Sequence, residues 1–140
     1  MDSLLLTERT LTELDHARLK RLLMAGAIGP RDAAGAALHA AMDGADLLPS
    51  RAVPPDVVTM YSRVELVEAP TGARHLVTLC YPEDAEPARG FISVLSPLGS
   101  SVLGLRAGSL ATWSTPGGGE VQARVAAVLF QPEASGDFVL

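Results

Sequence analysis

The chain has 140 residues, 48% hydrophobic and 19% charged, with a formal net charge of -5; these values suit one small domain or two modest lobes with a real core. The acidic balance argues against autonomous binding of nucleic acid, whose phosphates need a basic field, and favours protein partners. No run approaches the ~20 apolar residues that span a bilayer, the N-terminus carries Asp2 and Glu8 and no basic start of a signal peptide, and a lone Cys80 excludes an intrachain disulfide, so a cytoplasmic protein with no membrane association is expected.

Residues 1–13 read as an apolar and then polar lead-in with at most a brief extended segment. A helix follows, with Asp15 as its expected N-cap, Leu14 and Leu19 as a hydrophobic staple, and Leu22 and Leu23 on the same apolar face. Gly26 and Gly29-Pro30 stop it. Asp32 is placed to cap a second helix built from Ala33, Ala34, Ala37, Leu38, Ala41, Met42 and Ala45. The short connection predicts an antiparallel helical hairpin whose alanines let the two axes approach closely. Leu47 to Pro55 holds three prolines and reads as an extended linker. The expected division is therefore a helical unit at 1–50 and a second unit at 51–140.

The second unit reads as strands. Val57–Val67 is rich in β-branched residues, Thr71-Gly72 supplies a turn, and His75–Tyr81 returns. An acidic loop with Glu83, Asp84, Glu86 and Pro87 leads to the stretch Phe91–Gly108, FISVLSPLGSSVLGLRAG. Phe91, Ile92, Val94 and Leu95 predict a buried strand; Ser96 is an N-cap, and Pro97 at the first helical position loses only an N–H that has no partner in the helix. Leu98, Val102 and Leu103 form one face of the short helix, Gly99 and Ser100-Ser101 allow close packing, and Gly104 ends it in the left-handed region. Ala111–Thr115 is a strand holding Trp113, Pro116–Gly119 is a turn, and Val121–Phe130 is a strand with Val121, Ala123, Val125 and Ala127 on one side. Five strands and one helix make a compact α+β lobe.

The run SVLSPLGSSVLGLRAG resembles the signature of the C-terminal domain of the Gre transcript-cleavage factors. DVVTMYSRV at 56–64, TPGG at 115–118 and QPEASGDFVL at 131–140 further resemble the bacterial family called regulator of nucleoside diphosphate kinase, or Rnk. One departure is Ser109, where that family more often has an acidic residue. The resemblance implies a short N-terminal hairpin followed by an FK506-binding-protein-like (FKBP-like) antiparallel sheet wrapped on one short helix. It also implies RNA polymerase as the partner and an effect on nucleoside diphosphate kinase.

Gre factors insert a long coiled coil into the secondary channel of the polymerase and present tip carboxylates that hold a catalytic magnesium ion. Such chemistry needs converging carboxylates. The expected tip, with Gly29, Pro30, Arg31 and Asp32, offers Asp32 alone, and helix capping is its simpler task. Ser96, Ser100 and Ser101 lack a nucleophile elbow and a partnered histidine. The glycines at 117–119 lack the Lys-Ser/Thr of a phosphate loop. His16, His39, His75 and Cys80 include no pair at metal-ligand spacing. No metal, cofactor or catalytic residue is expected.

The reading is a polymerase-binding regulator that occupies the channel entrance and competes with Gre-type factors without stimulating cleavage. The docking residues expected are Ser96, Pro97, Leu98, Gly99, Ser100, Val102 and Arg106. A peptidyl-prolyl isomerase or peptide-binding module on the same fold is the alternative, with Trp113 and Phe130 as candidate walls of a proline pocket, although core packing suits both better. Oligomeric state is open in the sequence, with a monomer as the default expectation.

Overall fold

The computed structural model describes residues 8–25 and 33–137. The lead-in contributes a strand, β1 (Thr10–Thr12), which runs directly into helix α1 (Glu13–Leu23); helix α2 (Ala33–Met42) and strand β2 (Asp46–Leu48) follow. β1 and β2 pair in parallel, Thr10 with Asp46 through Thr12 with Leu48, and tie the two ends of the helical segment together. The cap of α1 is Thr12, not Asp15: Thr12 Oγ1 accepts the Asp15 N–H at 2.9 Å. Thr12 is already extended through its pairing in β1, so helical geometry starts one residue later and Asp15 falls in the first turn. The stop signals Gly26, Gly29 and Pro30 and the second cap Asp32, with Arg31, lie outside the described residues.

The helices have 11 and 10 residues, lengths that are marginal in isolation and that tertiary packing must support. Leu19 of α1 and Leu38, Ala41 and Met42 of α2 enter the same hydrophobic core as Val58, Met60, Val102 and Leu103. The proline segment is less extended than expected. Residues 46–48 are strand, Ser50–Ala52 forms a 3₁₀ turn, and Val53 is buried.

The remaining strands are β3 (Arg63–Ala69), β4 (Arg74–Cys80), β5 (Phe91–Ser93), β6 (Leu110–Ser114) and β7 (Glu120–Phe130), with helix α3 (Pro97–Val102) between β5 and β6. They form one mixed sheet in the order β5-β4-β3-β7-β6. Three pairings are antiparallel, but β4 and β5 are parallel, because the acidic loop folds into two 3₁₀ turns that carry the chain back to the start of the sheet edge. The protein is thus α+β with an antiparallel-rich sheet and few helices. One face of the sheet, with Val64, Leu66, Val77, Leu79, Ala123 and Val125, closes on the core.

Two sequence expectations shift here. Val57–Met60 is buried but irregular, and β3 starts only at Arg63. Ser62 Oγ takes the Thr59 N–H at 2.9 Å, and Tyr61 adopts φ 67, so the chain turns before it can pair. On β7 the register against β3 slips twice, leaving Ala126 and Leu129 unopposed. Val121, Ala123 and Val125 keep the expected side, but Ala127 moves to the open face opposite Glu65, and Phe130 arrives there opposite Arg63.

Candidate partner-docking surface

The geometry of α3 follows from its first residues. Ser96 Oγ accepts the Gly99 N–H at 3.0 Å and donates to Ser93 O at 2.7 Å, which fixes the helix start onto the end of β5. A Cβ on Gly99 would lie 2.0 Å from Ser93 O, so only glycine lets the helix come this close. Ser100 Oγ and Ser101 Oγ satisfy themselves on carbonyls of the preceding turn, at 3.1 Å to Ser96 O and 2.6 Å to Leu98 O. The far end is capped from outside the helix. Arg9 Nη1 donates to Ser100 O at 3.1 Å and Leu103 O at 2.7 Å, placing a cation on carbonyls left open at a helix C-terminus, and burial lowers the pKa of this guanidinium. Gly104, at φ 79, then turns the chain, its N–H meeting Val58 O at 2.8 Å.

This framework leaves a ridge at the N-terminus of α3. Pro97 is exposed and Trp113 of β6 half-buried, and the two stand between two grooves. One, of about 650 Å³, is walled by Ala37 and Ala40 of α2, Leu95 and Ser101. The other, of about 300 Å³, is lined by Ile92, Leu98, Thr115 and Pro116.

The residues singled out in the sequence separate into layers. Ser96, Pro97 and Leu98 reach the surface at this ridge, whereas Gly99, Ser100 and Val102 are buried behind it and act through the seating of the helix. Arg106 is exposed but lines neither groove; it pairs with Asp56, Nη2 to Oδ1 at 3.2 Å. The hairpin-tip residues Gly29, Pro30, Arg31 and Asp32 lie outside the described residues. Trp113 packs its half-buried ring against the core, as the sequence reading expects, and also borders the ridge. Its place on the ridge depends on β6 lying beside α3, a long-range fact with no local signal. Trp113 and Phe130 line different depressions and share no aromatic wall.

Among the described residues no group of three or more His, Cys, Asp or Glu could hold a metal ion. Cys80 is buried in β4, its Sγ 3.5 Å from Ile92 O, in the packing role expected. No helix is long and apolar enough to cross a membrane among the described residues. Asp15 is the chief buried acid. It is 3% exposed, and burial, with Glu133 nearby, raises its pKa to about 6 against the pull of the Met60 N–H and Arg18.

Residues 53–130 match the family described as transcription elongation factor, GreA/GreB, C-term. The chain is 36% identical over 130 residues to the regulator of nucleoside diphosphate kinase of Escherichia coli (strain K12), covering 93% of this chain and 95% of that protein. It is 39% identical over 74 residues to the transcription elongation factor GreA of Geobacillus kaustophilus (strain HTA426), a match that covers 53% of this chain and 46% of that one. Among solved structures, the prokaryotic transcription elongation factor GreA/GreB from Nitrosomonas europaea superposes with a TM-score of 0.72 at 31% identity, over 89% of this chain and 100% of that chain.

Proposed function

We propose, from the premise that this chain belongs to the GreA/GreB C-terminal family and to the family of regulators of nucleoside diphosphate kinase, that it regulates transcription by binding RNA polymerase at the secondary-channel entrance. In this reading residues 51–140 are an FKBP-like docking lobe and residues 1–50 a stub that projects inward. The protein competes there with Gre-type factors by mass action and carries out no chemistry. Its effect on nucleoside diphosphate kinase follows from this regulation, and its setting is the cytoplasm.

The observation that carries the proposal is the ridge of Pro97 and Trp113 between two grooves. An exposed ring on a rigid capped helix and a half-buried indole on the neighbouring strand β6 supply the small desolvatable centre that a specific interface needs. The helical segment supports the steric part. Eleven residues at 1.5 Å each make α1 about 16 Å long, and the segment 25–32 contains one carboxylate, Asp32, where a magnesium site usually takes two.

A pull-down with core RNA polymerase tests it. Wild-type protein should be retained and should be displaced by an excess of a Gre factor, and Pro97→Glu or Trp113→Ala should reduce retention at least tenfold. Stalled elongation complexes should show no shortened transcripts in its presence. Retention without competition, or shortened transcripts, would remove the mechanism.

A further inference from the structure

On the open face of the sheet, away from α3, the register places four residues in one row across four strands. Phe91 of β5 pairs with Thr78 of β4, Thr78 with Arg63 of β3, and Arg63 with Phe130 of β7. At 4.7–4.9 Å per strand the two phenylalanines stand about 14 Å apart with an arginine between them. The row forms part of one depression of about 910 Å³, together with Leu76, Tyr61 and Arg89. Leu76 is 48% and Phe130 44% exposed.

The charge of this depression runs against that of the chain. Among the described residues that line it none is acidic, and both cations face it. Arg63 makes no ion pair among the described residues, and Arg89 meets Glu86 only at 3.9 Å. Tyr61, on its margin, is held at φ 67 by its N–H to Leu79 O at 2.6 Å and its Oη to Asp84 Oδ2 at 2.5 Å. A bulky residue kept in the left-handed region is a cost that the fold retains at this margin.

We propose that this face is a second docking surface, specific for an acidic segment of a protein partner with two bulky apolar side chains flanking its carboxylates. Phe91 and Phe130 receive the apolar groups, and Arg63 and Arg89 the acids between them. Aromatic rings beside arginine are the composition of interface centres, and the net charge of -5 over the whole chain repels a polyanion that a short acidic peptide does not resemble in charge density. An extended peptide spans about 13 Å in four residues, which matches the row. Because the surface lies on the opposite side of the sheet from the Pro97–Trp113 ridge, both can be occupied together, and this inference stands whether or not the polymerase is the partner at the ridge.

Fluorescence anisotropy with a labelled peptide of two phenylalanines separated by three aspartates tests it, beside the same peptide with lysines for aspartates and a labelled single-stranded oligouridylate. The acidic peptide should bind full-length protein and shift the amide resonances of Thr78, Arg63 and Phe130. Arg63→Glu should weaken binding at least tenfold with an unchanged melting temperature, and Arg89→Glu at least threefold, while polymerase retention stays as in wild type. Absence of acidic-peptide binding, equal binding of the lysine peptide, indifference to both arginine substitutions, or tighter binding of the oligouridylate would each overturn the proposal.

Discussion

Asp15 of α1 and Met60 of the sheet lobe are joined by a hydrogen bond, the Met60 N–H donating to Asp15 Oδ2 at 3.2 Å. The contact crosses 45 residues of sequence and lies in the interior, so it couples helix attachment to the charge of one carboxyl group. The folded-state pKa, raised from 3.8 to about 6, means that the fold favours the neutral acid. Its contribution is fully present below about pH 4 and is lost as pH rises through about 6, a difference of about 3 kcal/mol. Urea midpoints should therefore fall between pH 4 and pH 7 relative to those of Asp15→Asn, which keeps an oxygen for the Met60 N–H without a charge. The variant should be the more stable protein at pH 7.5, and two parallel profiles would refute this account.

Arg9 is expected to matter more than an exposed residue at the head of a chain would. It supplies two charge-assisted hydrogen bonds to the last carbonyls of α3, and Arg9→Ala leaves Ser100 O and Leu103 O without them. At about 1.5–3 kcal/mol for bonds to a charged group, the variant should lose roughly that much in a denaturant titration. Arg9→Lys should recover only part of it, because the lysine ammonium has a shorter reach than Arg9 Nη1, the one nitrogen that makes both bonds.

Gly99→Ala should be the most damaging single-methyl change in α3. The added carbon meets the Ser93 carbonyl at 2.0 Å, a backbone atom fixed by the pairing of β5 with β4, so the helix has to move. Overpacking of this kind costs about 1–3 kcal/mol or more. Because α3 sets the ridge, polymerase retention should fall with stability in this variant and not in a conservative change at half-buried Ser109, Ser109→Ala.

Ser96→Ala separates capping from docking. It removes the acceptor for the Gly99 N–H and the donor to Ser93 O while leaving Pro97 and Trp113 in place. A loss of about 1 kcal/mol is expected from the cap. If retention on polymerase drops by far more than this stability loss explains, Ser96 itself touches the partner.

Most of α3 was legible locally, since a capping serine, a following proline, a tightly packed glycine and a left-handed glycine each announce themselves within three or four residues. What pairing decides was not. Thr12 and Asp15 are both good caps three residues apart, and the choice fell to Thr12 because Leu48, far along the chain, pairs with it. The alternation of β7 reads cleanly as far as Val125 and then misleads, because the bulges at Ala126 and Leu129 answer to β3 and carry no glycine to mark them. For the same reason the sequence offered no hint that Phe130 would stand beside Arg63, or that Trp113 would stand beside Pro97.

The parallel pairing of β1 with β2 has a further meaning for how this scaffold can vary. Three residues on each side cinch the base of the helical segment, and beyond the clamp Leu19, Leu38, Ala41 and Met42 are packed into the core, so only length added past the last turn of α1 and before the first turn of α2 would be decoupled from the sheet. Whole helical turns added in register to both arms would extend the projection by about 5.4 Å apiece while leaving the ridge and its grooves unaltered. The length of the helical arms and the seating of α3 are therefore separately adjustable, by lineage or by design, on one chassis.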